Sequence, residues 1–457
     1  MENEFVTEER LQLILELLEG KKYSRARDEI LKANTVDIAE ILEEVIEDIG
    51  IEKAIILFRT LPKDVSAEVF AYLPIDDQVA IINGITDREI QHIIDEMDFD
   101  DMIDVLEELP ANVVDKILEK STKEERRLIN TFLNYPETSA GSLMTPDYIS
   151  LRKNMTVAEA LAHIKSEGMD RETVYTCYIK DEGRKLLGIV SLRTLVVSDD
   201  DVVVESLMHE DIIYVNVLDD QEDVSDTFKK YGFLAIPVVD NEKRLVGIIT
   251  VDDILDVIDE ETTEDFQKMA GVAVSTEEYL DMSVWKHVKN RLPWLFVLMC
   301  SYIITGSIIT SFEAVLSQVI VLVAYLPMLM GTGGNSGSQS ATLVIRGMAV
   351  GDVDLRDVGK VLWKELRVSF MIGLVLSLLN FIRICWVEGH GPWIALTVCG
   401  SMLVIVIAAK TIGSMLPMGA KKVGIDPALM ASPMIASLTD MVSVVTYFAL
   451  ATFILGI

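Results

Sequence analysis

The spacing of apolar residues divides the chain into three stretches. Up to residue 135 they recur at helical intervals in short runs, interrupted at Leu61-Pro62, Leu73-Pro74, Asn83-Gly84 and Leu109-Pro110. Breaks about 12 residues apart predict short amphipathic helices stacked in a superhelical array. From 137 to 262 the pattern turns to β-branched runs alternating with helical ones, and after 291 to long apolar segments.

The middle stretch is duplicated. Ser142-Leu-Met144 returns as Ser206-Leu-Met208, and Leu187-Gly-Ile-Val-Ser191 as Val246-Gly-Ile-Ile-Thr250. Between these landmarks each copy holds a helical segment (157–165; 224–231) and a β-branched strand (174–180; 234–239), a βαββα unit written twice.

A helix that crosses a bilayer needs about 20 mostly apolar residues. Five segments of the last stretch qualify: Leu292–Phe312, Ala314–Ile345, roughly 361–387, about 392–418 with Lys410 inside, and Pro427–Ile457. The second is longer than one span and carries a glycine-rich run, Pro327-Met-Leu-Met-Gly331-Thr-Gly333-Gly334-Asn335-Ser-Gly337-Ser-Gln339. Glycines at this density weaken a helix but let backbones approach closely. A tight helix crossing and unwound backbone beside a water-filled path both fit. Basic residues flank one side only: Lys286, Lys289 and Arg291; Arg346, Arg356, Lys360, Lys364 and Arg367; Lys421 and Lys422. The other side has Arg383 alone. This asymmetry places the soluble part in the cytoplasm and the C-terminus outside.

The final segment contains one charge, Asp440. A carboxylate at membrane depth is expensive and marks a functional site by default. Ala436 and Ser432 precede it at steps of four, on one helical face. Small, small, anionic is what a narrow cation path needs. The plainer reading is a buried Asp bonded to a neighbouring helix, with Lys410 as a partner.

Charge sharpens the division. The 457 residues include 73 Asp and Glu against 40 Lys and Arg, a formal charge of −33, although mean hydropathy is +0.33. Residues 291–457 hold ten basic and eight acidic residues, so 1–290 carry −35. Such a surface repels nucleic acid and anionic lipid and attracts cations. The acids cluster at Asp98-Phe-Asp100-Asp101-Met-Ile-Asp104 and along Asp252–Asp265, where Asp253, Asp256, Glu260 and Glu264 share a face. Oxygen-rich clusters suit hard divalent ions, although no EF-hand loop is present and either cluster alone fits a solvated face. Cys177, Cys300, Cys385 and Cys399 show no paired spacing, so neither zinc nor a disulfide framework is indicated. The acidic, amphipathic N-terminus is unlike a signal peptide. No nucleophile–base constellation, zincin motif or phosphate loop indicates an enzyme.

The duplicated unit resembles a tandem pair of CBS domains, modules that commonly sense adenine nucleotides. Thr250-Val-Asp-Asp253 fits their hydroxyl-x-x-carboxylate ligand pattern, making ATP or another adenine nucleotide a candidate ligand at Thr250 and Asp253. The first copy, Ser191-Leu-Arg-Thr194, lacks the carboxylate, and a dimer scaffold without ligand also fits. Over nearly its full length the chain resembles the MgtE family of magnesium transporters and channels. The resemblance rests on the order of segments, the glycine-rich run and Asp440. It implies a multidomain membrane protein: an acidic α-helical superhelical N-domain (1–135), an α/β tandem CBS pair (136–200 and 201–262), a connecting plug helix (263–290), and an all-α five-helix transmembrane domain (291–457).

The resemblance also implies a plasma-membrane homodimer with the pore between subunits, lined by Asp440, Ala436 and Ser432. Mg2+ at cytosolic acids would close it. The matching sensor acids are Glu68, Asp100 and Asp104; Asp220 and Glu222; and Asp253, Asp256, Glu261, Glu264 and Asp265. Two positions depart from the family: Asp265 stands where Glu is typical, and Ser432 where Asn often stands. Ser432 offers fewer hydrogen bonds to a hydrated ion, so transport of Mn2+, Co2+ or Ca2+ is the first alternative. A CBS-regulated membrane receptor without transport is the second.

Overall fold

The computed structural model describes residues 2–275, 279–280, 282–430 and 432–456. Contacts divide the chain into two units, Met1–Ile258 and Asp259–Ile457.

The first unit opens with ten helices, α1 to α10: Glu2–Glu19, Tyr23–Ile30, Thr35–Ile49, Ile51–Phe58, Lys63–Ala71, Ile75–Gly84, Asp87–Glu96, Phe99–Glu108, Ala111–Lys120 and Lys123–Phe132. The prolines expected to punctuate this stretch start helices: Pro62, Pro74 and Pro110 are the N-cap residues of α5, α6 and α9. Proline fits there because it has no amide to satisfy. Thr86 with Glu89 and Thr122 with Glu125 form capping boxes on α7 and α10. Alternate helices pack in series, α3 on α5, α5 on α7, α7 on α9, and α2 on α4, α4 on α6. This is the stacked array the spacing predicts. Leu42, Leu57, Phe70 and Phe132 are fully buried in its core.

Each copy of the duplicated unit is a three-stranded sheet with helices. The first holds β1 (Tyr148–Leu151), α11 (Val157–Glu167), β2 (Thr173–Lys180), β3 (Leu186–Ser191) and α12 (Leu192–Val197). The second holds β4 (Val215–Asn216), α13 (Gln221–Tyr231), β5 (Ala235–Val239), β6 (Leu245–Thr250) and α14 (Val251–Ala270). In both sheets the first strand runs parallel to the second and the second antiparallel to the third. The copies exchange their leading segments. Thr145 pairs with Ile248 on β6, and His209 with Ile189 on β3. A Cβ on Gly247 would lie 3.0 Å from the Met144 sulfur, and one on Gly188 2.8 Å from the Met208 sulfur. The two duplicated motifs therefore meet crosswise: the methionine of each Ser-Leu-Met covers the glycine of the other copy.

The connecting helix differs from expectation. Helix formation begins at Val251, directly after β6, and ends at Ala270. Asp253 accepts hydrogen bonds from the Thr250 amide at 3.4 Å and the Thr250 hydroxyl at 2.6 Å, which caps the first turn. Gly271, at φ +69, closes the helix in the left-handed region glycine tolerates. The next helix starts only at Val284; the expected plug-helix residues 276–278 and 281 lie outside the described residues.

The second unit holds α15 (Val284–Ser311), the short α16 (Glu313–Gln318), α17 (Leu326–Ala349), α18 (Val358–Ile382), α19 (Pro392–Lys422) and α20 (Ser432–Leu455). Among the described residues four segments are long and apolar enough to cross a bilayer: Val284–Ser311, Leu355–Val387, Pro392–Lys422 and Pro427–Leu455. The second of the five expected spans, α17, is not among them. At about 1.5 Å per residue it still reaches ~36 Å, but glycine, serine and threonine lower its hydropathy. It buries Gly333, Gly334, Ser336, Gly337, Ser340, Ala341 and Val344 against neighbouring helices, so protein replaces lipid along that side. The glycine-rich run is continuous helix in a tight crossing.

Candidate ion path and carboxylate groups

Asp440 is the one charge of α20 and is half-buried. The glycine run of α17 lies against the same helix: a Cβ on Gly334 would be 3.5 Å from Ala436 Cβ, and one on Gly337 2.7 Å from Ile435 Cγ2. Ala436, one turn before Asp440, thus meets bare backbone. Ser432 begins α20; its side chain lies outside the described set. Lys410 is 4% exposed and donates to Ser340 Oγ at 3.3 Å, which gives it a partner other than Asp440.

The crossing of α17 and α19 is tighter still, because a Cβ on Gly413 would collide with the Gly337 carbonyl. Gly413→Ala is expected to destabilise the protein by about 1–3 kcal/mol, the usual cost of overpacking. Gly334→Ala, which makes only an ordinary contact with Ala436, is expected to leave the thermal midpoint of the detergent-solubilised protein almost unchanged. Equal midpoints for the two variants would count against the crossing.

In the first unit α8 and the start of α14 bring carboxylates under one another's influence. Burial pushes Asp100 up to about 9, helped by the charges of Asp253, Glu172 and Asp101. Asp101, exposed along part of its side chain, rises to about 6 through partial desolvation of its carboxyl and the fields of Asp98, Asp253 and Asp252. Glu172, just before β2, rises to about 7 by burial and the same acids. Asp253 is raised by burial against the opposing Thr250 hydrogen bond. Asp100 Oδ1 is buried without a hydrogen-bond partner. A donor set of desolvated carboxylate oxygens fits a hard divalent ion. Yet among the described residues no three metal-binding side chains converge into a preformed site. Glu68 and Asp256, both exposed, raise the hydroxyl of Tyr72 together with Asp101 and Asp252, which places them beside this group. Asp104 is exposed one turn beyond Asp100.

Asp220 and Glu222 stand apart. Asp220 is the N-cap of α13 and accepts from the Glu222 amide at 3.0 Å. Neither is among the charges that act on Asp100, Asp101, Glu172 or Asp253. The expected nucleotide ligands Thr250 and Asp253 are bonded to each other.

The second unit gathers another acidic group at the end of α14, with Glu264, Asp265 and Asp426, the last from the loop before α20. Asp265 is raised by burial and by Asp426. Lys268 bridges Asp426 at 2.8 Å and also pairs with Glu264. Met269 packs with Ala341, Ile345, Ile435 and Leu416. Glu261 is half-buried on the same helix. Sequence reasoning missed Glu172, Lys268 and Asp426, which are single charges in unremarkable local sequence.

A bundle of long apolar helices, with a lone carboxylate on the helix that packs against a glycine run, and with a helical array and a paired βαββα module before it, is the build of a cation transporter. The comparisons bear this out. The profile of the MgtE divalent cation transporter family matches residues 326–450, that of the MgtE intracellular N domain residues 33–138, and that of the CBS domain residues 140–200 and 204–260. The magnesium transporter MgtE of Thermus thermophilus is 36% identical over 96% of this chain and 99% of its own. That of Bacillus subtilis is 32% identical over 87% of this chain and 90% of its own. The chain belongs to the MgtE family. Among solved structures, the soluble part of a magnesium transporter matches with a TM-score of 0.51 at 32% identity, over 56% of this chain and 99% of that one. The cytosolic domain of the Mg2+ channel MgtE in complex with ATP matches with 0.50 at 31% identity, over 54% and 99%.

Proposed function

We propose that the protein carries Mg2+ across the plasma membrane and that Mg2+ bound to its acidic groups closes the path. The observation that carries this reading is Asp440, a lone carboxylate on a small-residue face against glycine backbone. The relatives that match over most of the chain are magnesium transporters, which supports the choice of ion. Mg2+ gives up its waters reluctantly, so Asp440 would hold it through water, with Ala436 and Ser432 leaving room. Two copies of α20 across a dimer axis would supply two carboxylates, and binding must stay weak enough for release. The basic flanks put the soluble unit in the cytoplasm and the C-terminus outside. The sensor would comprise Glu68, Asp100, Asp104, Asp253 and Asp256 in the first unit, Glu261, Glu264 and Asp265 in the second, and Asp220 with Glu222 as a separate pair.

Mg2+ flux into proteoliposomes, with and without Mg2+ on the side of the soluble unit, tests both parts. No flux refutes transport; flux indifferent to that Mg2+ refutes gating. Ser432 favours a second reading in which another divalent ion is the main cargo, and competition among Mg2+, Mn2+, Co2+ and Ca2+ separates the two.

An adenine nucleotide would also bind the CBS pair. Its better seat is the cleft of about 390 Å³ lined by Tyr175, Ser191, Leu192, Arg193, Val196 and Val197, where a ring and a guanidinium are at hand. Thr250 and Asp253 lie in an acidic field that repels phosphate.

The raised carboxylates set a pH dependence. Asp100, Asp101 and Glu172 bind protons more tightly folded than unfolded, so without metal the fold weakens as pH rises from about 4 towards these values. Mg2+ displaces those protons and removes the repulsion. Proteolysis of the full-length protein within the soluble unit is therefore expected to be faster at pH 8 than at pH 6 in chelator, and to slow on adding millimolar Mg2+, more so at pH 8. Equal protection by Na+ at matched ionic strength would refute specific binding.

A further inference from the structure

Lys410 lies inside the apolar part of α19, buried from solvent. Its ammonium donates to Ser340 Oγ on α17 at 3.3 Å, and Ser340 Oγ donates to Glu365 Oε2 on α18 at 2.6 Å. A hydroxyl has one proton to give and lone pairs to accept with. The direction is therefore fixed: ammonium to hydroxyl, hydroxyl to carboxylate. Ser340 is 1% exposed and Glu365 half-buried, so three helices meet in one charge-compensated relay whose ammonium and hydroxyl are buried. Buried ionic groups of this kind add little to stability, and their best-attested use is to fix register.

The glycine run of α17 presents few large side chains to fix its register against α19 or α20; Ala341 and Ile345, which pack with Ile435, lie beyond it. A Cβ on Gly337, one turn before Ser340, would lie 3.1 Å from the Ala409 carbonyl beside Lys410 and 2.7 and 3.2 Å from Ile435 and Thr439 of α20. Gly334, a further turn away, meets Ala436. A slide or rotation of α17 at Ser340 therefore changes the wall beside Ala436, one turn before Asp440.

We propose that Lys410, Ser340 and Glu365 are positioning residues for the ion path, a one-way ionic relay that holds α17 in register against α20 and thereby sets which hydrated divalent ion passes. The proposal rests on the reading that Asp440 lines that path. A merely structural relay predicts equal loss for every ion; a positioning relay predicts a change in the ratio between ions.

The test uses the full-length protein in liposomes and measures Mg2+ and Ca2+ flux for Ser340→Ala, Lys410→Met and the double variant Lys410→Met/Glu365→Gln, with thermal midpoints in detergent. Ser340→Ala and Lys410→Met are expected to lower the Mg2+ to Ca2+ flux ratio on the order of tenfold, a coupling usual for contacting residues. The double variant, which leaves neither charge unpaired, is expected to recover the thermal midpoint but not the ratio. An unchanged ratio in the double variant overturns the proposal, as does a parallel fall of both fluxes with the midpoint. If a single variant fails to assemble, the double variant decides. Asp440→Ala runs alongside: flux lost there with the ratio intact in the relay variants refutes the relay alone, whereas flux retained in Asp440→Ala refutes the path itself.

Discussion

Replacing Asp440 by Ala is expected to lower Mg2+ flux by roughly a hundredfold or more, the scale set by one charge at membrane depth. The carboxylate is the only formal charge α20 offers a permeating ion, and a backbone carbonyl, which is neutral and already accepts a bond within the helix, cannot replace that charge. Asp440→Asn keeps shape and oxygen but loses the charge, so it is expected to fall nearly as far. Assembly should survive, because α20 is held elsewhere. Tyr447 donates to the Leu322 carbonyl at 3.0 Å, and Val444, Phe448 and Ala451 are fully buried. Flux measured on protein of unchanged size-exclusion profile checks this. Undiminished transport in Asp440→Ala would sink the path assignment.

The second large effect concerns closure. Ions that hold a path shut must bind the closed state more tightly than the open one. Asp253, Asp256 and Glu261 occupy one helix, so Asp253→Asn, Asp256→Asn and Glu261→Gln together remove proposed ligands and relieve like-charge repulsion along α14. The triple variant is expected to fold at least as well as the parent and to need about tenfold more Mg2+ for inhibition, within the usual range of coupling between sites. The measurement is flux against Mg2+ on the side of the soluble unit. A curve that stays in place would leave these acids as a solvated face.

Periodicity carried most of the fold. The duplicated strands and helices fall within a few residues of where the repeats place them, because β-branched runs and capping residues act locally. The boundary of α14 was harder to read. The hydroxyl and carboxylate of Thr250 and Asp253 look like ligands in sequence, and their mutual hydrogen bond, which starts the helix, is visible only in three dimensions. α17 illustrates a different limit: hydropathy reports contact with lipid, whereas one side of this helix packs against protein. Asp440 stood out because its surroundings are apolar. Glu172 did not, because one more acid in an acidic unit carries no local signal; only burial and the approach of α8 and α14 single it out. Lys268 was hidden for the same reason, its partner Asp426 lying far along the chain.

The crosswise cover of Gly188 by Met208 and of Gly247 by Met144 bears on how such a module can be inherited. Each copy keeps its own sheet but borrows the lid over its glycine, and one strand-edge bridge, from its twin. A lone copy would leave that glycine backbone bare and its own methionine without a seat. The smallest piece that a gene fusion or a truncation can move intact is thus the pair, with the leading Ser-Leu-Met of the first copy included and a cut between the copies ruled out.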